Sequence, residues 1–403
     1  MLLHTTPIYD FAPLVPPAQT LADALSLQDP LAGLDIEARS YQQRIVRKAC
    51  EMYAGEHVDR SGQREDAAGS VLIESPTGSG KTVMGLAIAR YMQAVYGYKV
   101  GWVAMRRNLL QQAARENLQR GFDIDMQTIS MFEKRPPKVD MLIVDEAQHD
   151  AAMSMANLHC VIQPKVILGL TATPFRTDRV RLCFDRIIKD CGIHQLIQDG
   201  YLSRYHHYTI AEFSPQAVAE AFLREPQRWG KSLMFFHREE QCRECLQLLT
   251  SAGVKADVVT GKTNRERQLD DFAAGKTDVL INMNILTEGF DCPQLKTVFC
   301  RPSGRSCTIQ MAGRVFRKHL PEPIKQIVQC KNTRHPMVKT ATAEQQFVWT
   351  HDRWQTLEVN QRIEAITEVS RKLIARSQVE LPKIVAAHRP RPLPWQQNRF
   401  ADS

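Results

Sequence analysis

The chain has 403 residues, of which 43% are hydrophobic and 24% charged, and its 52 basic and 44 acidic residues give a formal net charge of +8. This composition excludes a mainly disordered or collagen-like chain and allows two or three globular domains. We find no apolar run of the roughly 18 residues that a membrane span needs and no secretory signal at the start, so we expect a soluble cytoplasmic protein. The ten cysteines are scattered along the chain, which is typical of a protein in a reducing compartment. The basic excess is compatible with an acidic polymer as partner.

Residues 1–38 differ in composition from the rest of the chain. They hold five prolines and five acidic residues but no Lys or Arg, and they show no sustained helical or strand period. We interpret them as an extended acidic leader with one short helix at 21–27. Because this leader contributes −5, the remaining residues carry +13.

Short apolar runs alternate with helical stretches from residue 70 onward. The predicted strands VLIE, KVGWVAM, MLIVDEA and KVILGLTAT are separated by predicted helices, and a second series follows with KSLMFFH, KADVVTG, TDVLINM and LKTVFCR. Strands alternating with helices of this kind are typical of βαβ units on a parallel sheet. We therefore predict an α/β fold with two parallel-sheet lobes, at 39–202 and 203–330. A C-terminal extension at 331–403 is predicted to hold a hairpin, a helix at 359–376 and a basic tail.

A glycine-rich loop at 75–82 is the strongest local motif. Its sequence, SPTGSGKT, follows a predicted strand and precedes a predicted helix, which is the setting of a phosphate-binding loop. Glycines let the backbone amides approach a triphosphate at the positive end of the helix. Lys81 is suited to reach the terminal phosphates, and Thr82 to bind Mg²⁺. The expected nucleotide contacts from this loop are Thr77, Gly78, Ser79, Gly80, Lys81 and Thr82.

Two acidic residues end the predicted strand MLIVD. Asp145 and Glu146 begin the sequence DEAQ, and the carboxyl end of a parallel strand is the edge where such sheets bind ligands. We expect Asp145 to hold Mg²⁺ and Glu146 to act as the general base toward the attacking water.

Taken in order, these motifs resemble those of DExH-type superfamily 2 helicases. The resemblance adds RSYQ at 39–42, TAT at 171–173, LTEGFDCP at 286–293 and QMAGRVFR at 310–317, and it covers about 39–330. It implies two RecA-like lobes with ATP in the cleft between them and a nucleic-acid strand across both.

The resemblance also implies roles around the nucleotide. Arg39 and Gln42 are expected to contact ATP, with Gln42 reading the adenine, and Gly289 and Asp291 to lie beside it. The expected catalytic residues of the second lobe are Gln310, Arg314 and Arg317. Because Arg314 and Arg317 are three residues apart, we expect them to project from one helix face. From there they would act as arginine fingers on the γ-phosphate.

Further residues are expected to bind the strand or to couple it to ATP. The resemblance assigns coupling to Gln148, Thr171 and Thr173. Contacts to phosphate or sugar, which read no sequence, are expected from Arg107, Thr128, His237, Thr260 and Gly261.

Within the superfamily, the stretches TATPFR, DGYL, VTGKT and GRVFR most resemble bacterial RadD, phage UvsW and the helicase subunits of restriction enzymes. Since these act on DNA, the resemblance predicts an ATP-dependent DNA helicase or translocase on branched or partly single-stranded DNA, in repair, recombination or replication. It predicts a nucleoid-associated protein of a bacterium or a phage-infected cell.

Gln148 departs from those relatives, which usually carry His there. The alternatives are an RNA helicase, or a clamp or remodeller that hydrolyses ATP without unwinding.

Three other features have competing interpretations. Cys242 and Cys245 have the spacing of half a zinc site, but we interpret them as buried thiols and expect no zinc. Trp349 and Trp354 flank a predicted turn, where a cross-strand pair is favoured over stacking on bases. The tail from 376, with a net charge of +3, either binds phosphates or is a solvated terminus.

Overall fold

A computed structural model describes residues 30–31, 34, 36–59, 61–149, 153–173, 182–283, 286, 292–350, 352–357 and 369. The helix predicted at 21–27, and that at 359–376 apart from Val369, lie outside these residues, as do Gly289 and Asp291. The chain divides into one unit from Met1 to Thr356 and a second from Leu357 to Ser403, and all the elements described below belong to the first.

The first lobe is built on a parallel sheet whose central strands β2 and β4 are buried on both faces. Its six strands run in the order β3-β2-β4-β5-β1-β6, and every residue of β2 and β4 is buried, as expected for a sheet covered by helices on both sides. The strands are β1 (Ser70–Glu74), β2 (Val100–Ala104), β3 (Met126–Ser130), β4 (Met141–Asp145), β5 (Val166–Thr171) and β6 (Arg186–Ile188). The helices are α1 (Ser40–Ala54), α2 (Lys81–Tyr96), α3 (Arg107–Gln119), α4 (Met153–Ile162) and α5 (Ile193–Gln198).

The second lobe has an eight-stranded sheet in the order β14-β13-β7-β12-β11-β8-β10-β9. Its strands are β7 (Arg204–Ile210), β8 (Ser232–Phe235), β9 (Ala256–Val259), β10 (Val279–Asn282), β11 (Thr297–Phe299), β12 (Ile324–Cys330), β13 (Gln345–Thr350) and β14 (Arg353–Thr356). Its helices are α6 (Pro215–Arg224), α7 (Pro226–Trp229), α8 (Glu239–Ser251), α9 (Arg265–Ala273) and α10 (Arg305–Ala312). The predicted α/β fold with two parallel-sheet lobes is confirmed.

The hairpin β13–β14 extends the second sheet. The sequence placed it in an extension from residue 331, but β13 pairs in parallel with β7, and β14 pairs antiparallel with β13. Trp349 lies opposite Trp354 with ring centroids 5.1 Å apart, so the favoured cross-strand pair is confirmed. Trp354 also packs edge-on against Tyr208 of β7, at 5.0 Å. This aromatic packing holds the hairpin on the sheet.

Two cysteines of α8 and a buried lysine of β12 belong to the interior of the second lobe. Cys242 and Cys245 are buried, and burial raises the pKa of each thiol to about 12. Lys325 is fully buried, and its Nζ donates to the carbonyl oxygens of Pro293 and Leu295, each at 2.7 Å. Burial lowers the pKa of Lys325 to about 8. These two bonds tie the end of the LTEGFDCP segment to the sheet.

Three of the motifs that the sequence singled out lie at the carboxyl ends of strands, as this architecture favours. The phosphate loop follows β1, Asp145 ends β4 and Thr171 ends β5. Because β1, β5 and β4 are consecutive neighbours in the sheet, these three motifs meet at one edge. Among the described residues, no helix is both long and apolar enough to cross a membrane.

Candidate active site

A cavity of about 310 Å³ lies at this edge and is lined by both lobes. It brings together most of the nucleotide and catalytic residues expected from the sequence, although they come from four separate motifs. These are Arg39, Gln42, Thr77, Gly78, Gly80, Lys81, Thr82, Asp145, Glu146, Arg314 and Arg317. These eleven residues therefore form one site.

The phosphate loop depends on two glycines in the left-handed region. Gly78 has φ +82° and Gly80 has φ +81°. A residue with a side chain would adopt these φ values only at a cost in conformational energy. A Cβ at Gly80 would also lie 2.4 Å from Nε2 of Gln42. Since α2 begins at Lys81, the loop presents its amides at the positive end of that helix.

Lys81 lies across its own loop. Its Nζ donates to the carbonyl oxygens of Ser75 and Pro76, at 3.3 and 3.4 Å. Burial lowers the pKa of Lys81, and the carboxylates of Glu146 and Asp145 oppose this by favouring the charged form. The ammonium group therefore has weak carbonyl partners that a phosphate can replace.

The two acids at the end of β4 occupy different backbone conformations. Asp145 is buried, and its Oδ1 accepts the N–H of Glu146 at 3.0 Å. Glu146 has φ +55°, which is uncommon outside glycine and carries a conformational cost. Both acids line the cavity with Lys81.

The three residues expected to couple the sites form a continuous chain of hydrogen bonds with Glu146. Gln148 Nε2 donates to Glu146 Oε2 at 3.0 Å, and Thr171 Oγ1 lies 2.7 Å from Gln148 Oε1. The N–H of Thr173 donates to Thr171 Oγ1 at 3.0 Å. Because a glutamine can donate and accept at once, Gln148 connects the DEAQ and TAT motifs, although it stands where the resembling helicases usually carry His.

Replacing Thr171 with Val is expected to break this chain while keeping the shape of the side chain. Because the bonds of the Thr171 hydroxyl to Gln148 and to the Thr173 N–H are lost, we expect strand displacement to fall about tenfold and ATP turnover by less than about threefold. The two rates are measured on the same forked substrate. Thr250→Val is the matched control, since the Thr250 hydroxyl bonds only locally within α8. An equal fall in both rates would show that Thr171 has no coupling role.

The start of α1 is bound to the phosphate loop. Gln42 Nε2 and the hydroxyl of Tyr41 both donate to the carbonyl oxygen of Ser79, at 2.8 and 2.6 Å, and Gln42 Oε1 accepts the N–H of Arg39 at 3.0 Å. The Arg39 guanidinium lies over the ring of Tyr201, 5.0 Å from its centroid. Ser79 is fully buried and is not among the residues lining the cavity. Gln42 therefore positions the loop as well as lining the cavity.

The two arginines enter the cavity from a turn and not from a helix. Helix α10 ends at Ala312, so the expectation that Arg314 and Arg317 share a helix face is wrong. A Cβ at Gly313 would lie 2.7 Å from the carbonyl oxygen of Ile309 and 3.1 Å from Thr77 Cβ, so this glycine lets the second lobe touch the phosphate loop. Burial lowers the pKa of Arg317 to about 10, which leaves it charged at neutral pH. Gln310 is half-buried in α10 and does not line the cavity.

Several lining residues were not expected from the sequence. One face of α3 contributes Leu109, Gln112 and Glu116, and Arg120 follows the helix directly. Arg120 Nε donates to Glu116 Oε2 at 2.7 Å. Their spacing of three or four residues along NLLQQAARENLQR was the available signal. The end of the leader, Ile36, Glu37 and Ala38, also lines the cavity.

The residues expected to bind the nucleic-acid strand lie on both lobes. Arg107 begins α3, Thr128 lies in β3, and both are exposed. His237 follows β8 and is exposed. Thr260 follows β9 and is buried, with its hydroxyl accepting the N–H of Lys262 at 3.2 Å, and Gly261 is exposed. Four of the five thus follow strand ends, and Thr128 lies within its strand.

Two family models match the chain, one in each lobe. The model of the type III restriction enzyme res subunit matches residues 35–131, and that of the helicase conserved C-terminal domain matches 214–319. The chain belongs to the superfamily 2 helicases. The two matches include the phosphate loop, His237 and Gln310. The more specific likeness to RadD and UvsW stays a prediction.

Two curated relatives each match part of the chain. A 51.5 kDa protein of a Lactococcus phage is 25% identical over 58% of this chain and 59% of its own length. IRC3 of Saccharomyces cerevisiae, whose name describes a candidate ATP-dependent helicase, is 28% identical over 45% of this chain and 32% of its own. The chain thus matches less than two thirds of either relative.

Two solved structures share the fold. A Dbp5 variant of S. cerevisiae bound to RNA and ADP BeF3 has a TM-score of 0.54 at 14% identity, over 83% of this chain and 98% of its own. The ATP-dependent Type ISP restriction-modification enzyme LlaBIII bound to DNA has a TM-score of 0.50 at 16% identity, over 76% of this chain and 29% of its own.

Proposed function

We propose that this superfamily 2 helicase hydrolyses ATP in the cleft between its lobes and uses the cycle to move along DNA. The observation that carries the proposal is the shared cavity, in which Arg314 and Arg317 of the second lobe meet Lys81, Asp145 and Glu146 of the first. Hydrolysis in such a site depends on lobe closure, so it can be coupled to movement of a bound strand.

The cavity has the chemistry that a nucleoside triphosphate and Mg²⁺ require. Glycines with positive φ leave room for phosphates at the start of α2, and Lys81 can exchange its carbonyl partners for phosphate oxygens. Thr82 and Asp145 are the residues that would hold Mg²⁺, which would neutralise charge on the terminal phosphates. Arg39 and Gln42 also line the cavity, and we expect Gln42 to contact the adenine base.

Each protein group then has a distinct task in hydrolysis. Glu146 accepts the proton of the attacking water. Lys81, Arg314 and Arg317 stabilise the charge that develops on the transferred phosphoryl group. When Glu146 takes up this proton, its hydrogen bond with Gln148 changes. Gln148 and Thr171 transmit this change to the TAT segment through their hydrogen bonds.

The proposed substrate is branched or partly single-stranded DNA, handled during repair, recombination or replication. Support for DNA comes from the match to the family of the type III restriction enzyme res subunit and from the resemblance of the motifs to those of RadD and UvsW. The five expected strand contacts involve phosphate or sugar, so we expect binding without sequence preference.

The test is a panel of nucleic acids added to the full chain with ATP. We expect hydrolysis to be stimulated by forked and single-stranded DNA, and less by RNA of the same sequence. No stimulation by any nucleic acid would reject the proposal, and stronger stimulation by RNA would make this an RNA helicase. Hydrolysis without strand displacement on forks would identify a translocase, clamp or remodeller.

A further inference from the structure

An arginine and a histidine meet at the carboxyl ends of two neighbouring strands in the second lobe. His237 follows β8 and Arg301 follows β11, and these strands are paired. Arg301 Nη1 lies 2.9 Å from Nδ1 of His237. Arg301 is buried, and it also reaches Ser303 Oγ at 3.1 Å and Cys307 Sγ at 3.5 Å. The histidine is the exposed member of the pair.

The chemistry of this contact fixes the tautomer of the histidine. A guanidinium group has donors only, so the ring nitrogen that faces it must accept a hydrogen bond. Nδ1 is therefore unprotonated, and the proton of the neutral imidazole is on Nε2. A doubly protonated ring would place a second N–H against the guanidinium.

The surrounding groups also favour the neutral ring. Burial lowers the pKa of His237, and the charges of Arg301 and Arg238 lower it further. A backbone hydrogen bond with Pro302 acts in the opposite direction and raises the pKa of His237. Gln241 Oε1 accepts the backbone N–H of His237 at 3.2 Å, which holds the residue at the start of α8.

We propose that Arg301 is a positioning residue that holds His237 as a neutral Nε2–H donor for a phosphate of the bound strand. The inference rests on the proposed function, because it needs a nucleic-acid strand at His237. A neutral donor keeps the affinity for the strand independent of histidine protonation near neutral pH. Arg301 acts through the ring of His237, and its loss changes how binding depends on pH.

Replacing Arg301 with Met tests this role. Without the guanidinium, Nδ1 can take a proton, and the pKa of His237 rises toward its ordinary value of about 6.5. We expect the affinity of R301M for single-stranded DNA to increase about threefold more than that of the wild type as pH falls from about 8 to about 6, since one positive charge is added near a phosphate. The measurement is fluorescence anisotropy at constant salt.

Matched variants separate this effect from loss of charge or of structure. R301K keeps a charge and a donor, so it is expected to restore the wild-type pH profile. R305M removes an exposed charge from the first residue of α10 and is expected to weaken binding equally at every pH. Adding H237Q to R301M is expected to remove the new pH dependence. A wild-type profile in R301M would overturn the proposal.

A second measurement needs neither a variant of Arg301 nor nucleic acid. Long-range ¹H–¹⁵N spectra of histidine-labelled wild-type protein report which ring nitrogen carries the proton, and the His237 signals are those that H237Q removes. We expect Nε2 protonated and Nδ1 unprotonated at neutral pH. A protonated Nδ1 would overturn the inference even if the strand binds. If the wild type binds no nucleic acid, the proposed function fails while the tautomer result stands.

Discussion

Replacing Glu146 with Gln is expected to lower kcat for ATP hydrolysis by about 10²–10⁴-fold. An amide cannot accept the proton of the attacking water, although it nearly preserves the shape of the side chain. The amide oxygen introduced by E146Q can still accept the hydrogen bond that Gln148 Nε2 donates to Glu146. The loss therefore concerns the chemical step, and equilibrium binding of a non-hydrolysable ATP analogue should stay within about threefold of the wild type.

The matched control for this substitution is Glu116→Gln. Glu116 lines the same cavity from α3, where its carboxylate is paired with Arg120. Its charge favours the charged form of Arg317, which as a guanidinium stays charged at neutral pH without it, whereas Glu146 favours the charged form of Lys81. We expect E116Q to retain kcat within about threefold of the wild type, and both variants are compared under saturating ATP and DNA. Wild-type turnover in E146Q would remove Glu146 from the role of general base and leave the shared cavity without an assigned base.

The motifs of the first lobe could be predicted from the sequence because their geometry is local. The phosphate loop needs glycines between a strand and a helix, and Gly78 and Gly80 do have the left-handed φ values that this loop requires. Asp145 falls at a strand end because the apolar run MLIV before it forms a buried strand. In both cases a short stretch of sequence contains the features that determine its structure.

Contacts between distant segments could not be predicted in the same way. The pairing of β13 with β7 joins strands far apart in the chain, and nothing within FVWTHDRW identifies its neighbour. The bond between Arg301 and His237 depends on β11 lying next to β8. The residue spacing along α3 indicates which residues share one helix face, but the spacing alone does not identify the cavity that this face lines.

The error at Arg314 and Arg317 has a specific physical cause. A spacing of three residues suggests one helix face only if the helix continues, and α10 ends at Ala312. Gly313 follows immediately, and a Cβ there would lie 2.7 Å from the carbonyl oxygen of Ile309 and 3.1 Å from Thr77 Cβ. The chain therefore leaves the helix at the point where the second lobe touches the phosphate loop, and the arginines reach the cavity from the turn.

Replacing Arg317 with Ala is expected to lower kcat by about 10³–10⁵-fold, the range found for arginine fingers. Arg317 lies over the phosphate loop, with its Cγ 3.8 Å from the position of a Cβ at Gly78. Because its guanidinium would act most strongly on charge that develops in the transition state, the effect should fall on kcat more than on KM. We expect R317K to be intermediate, since lysine keeps the charge but lacks the planar fork.

Lys318→Ala is the control that distinguishes a finger from general positive charge. Lys318 is the next residue in the chain and is not among those lining the cavity, so K318A should leave kcat within about threefold of the wild type. Both variants are measured with saturating ATP and DNA, and analogue binding is checked separately. If R317A hydrolysed ATP within about tenfold of the wild type, Arg317 would not be a finger, and the charge from the second lobe would rest on Arg314. If R314A were equally active, hydrolysis would no longer require lobe closure, and the proposed link between ATP and strand movement would lose its physical basis.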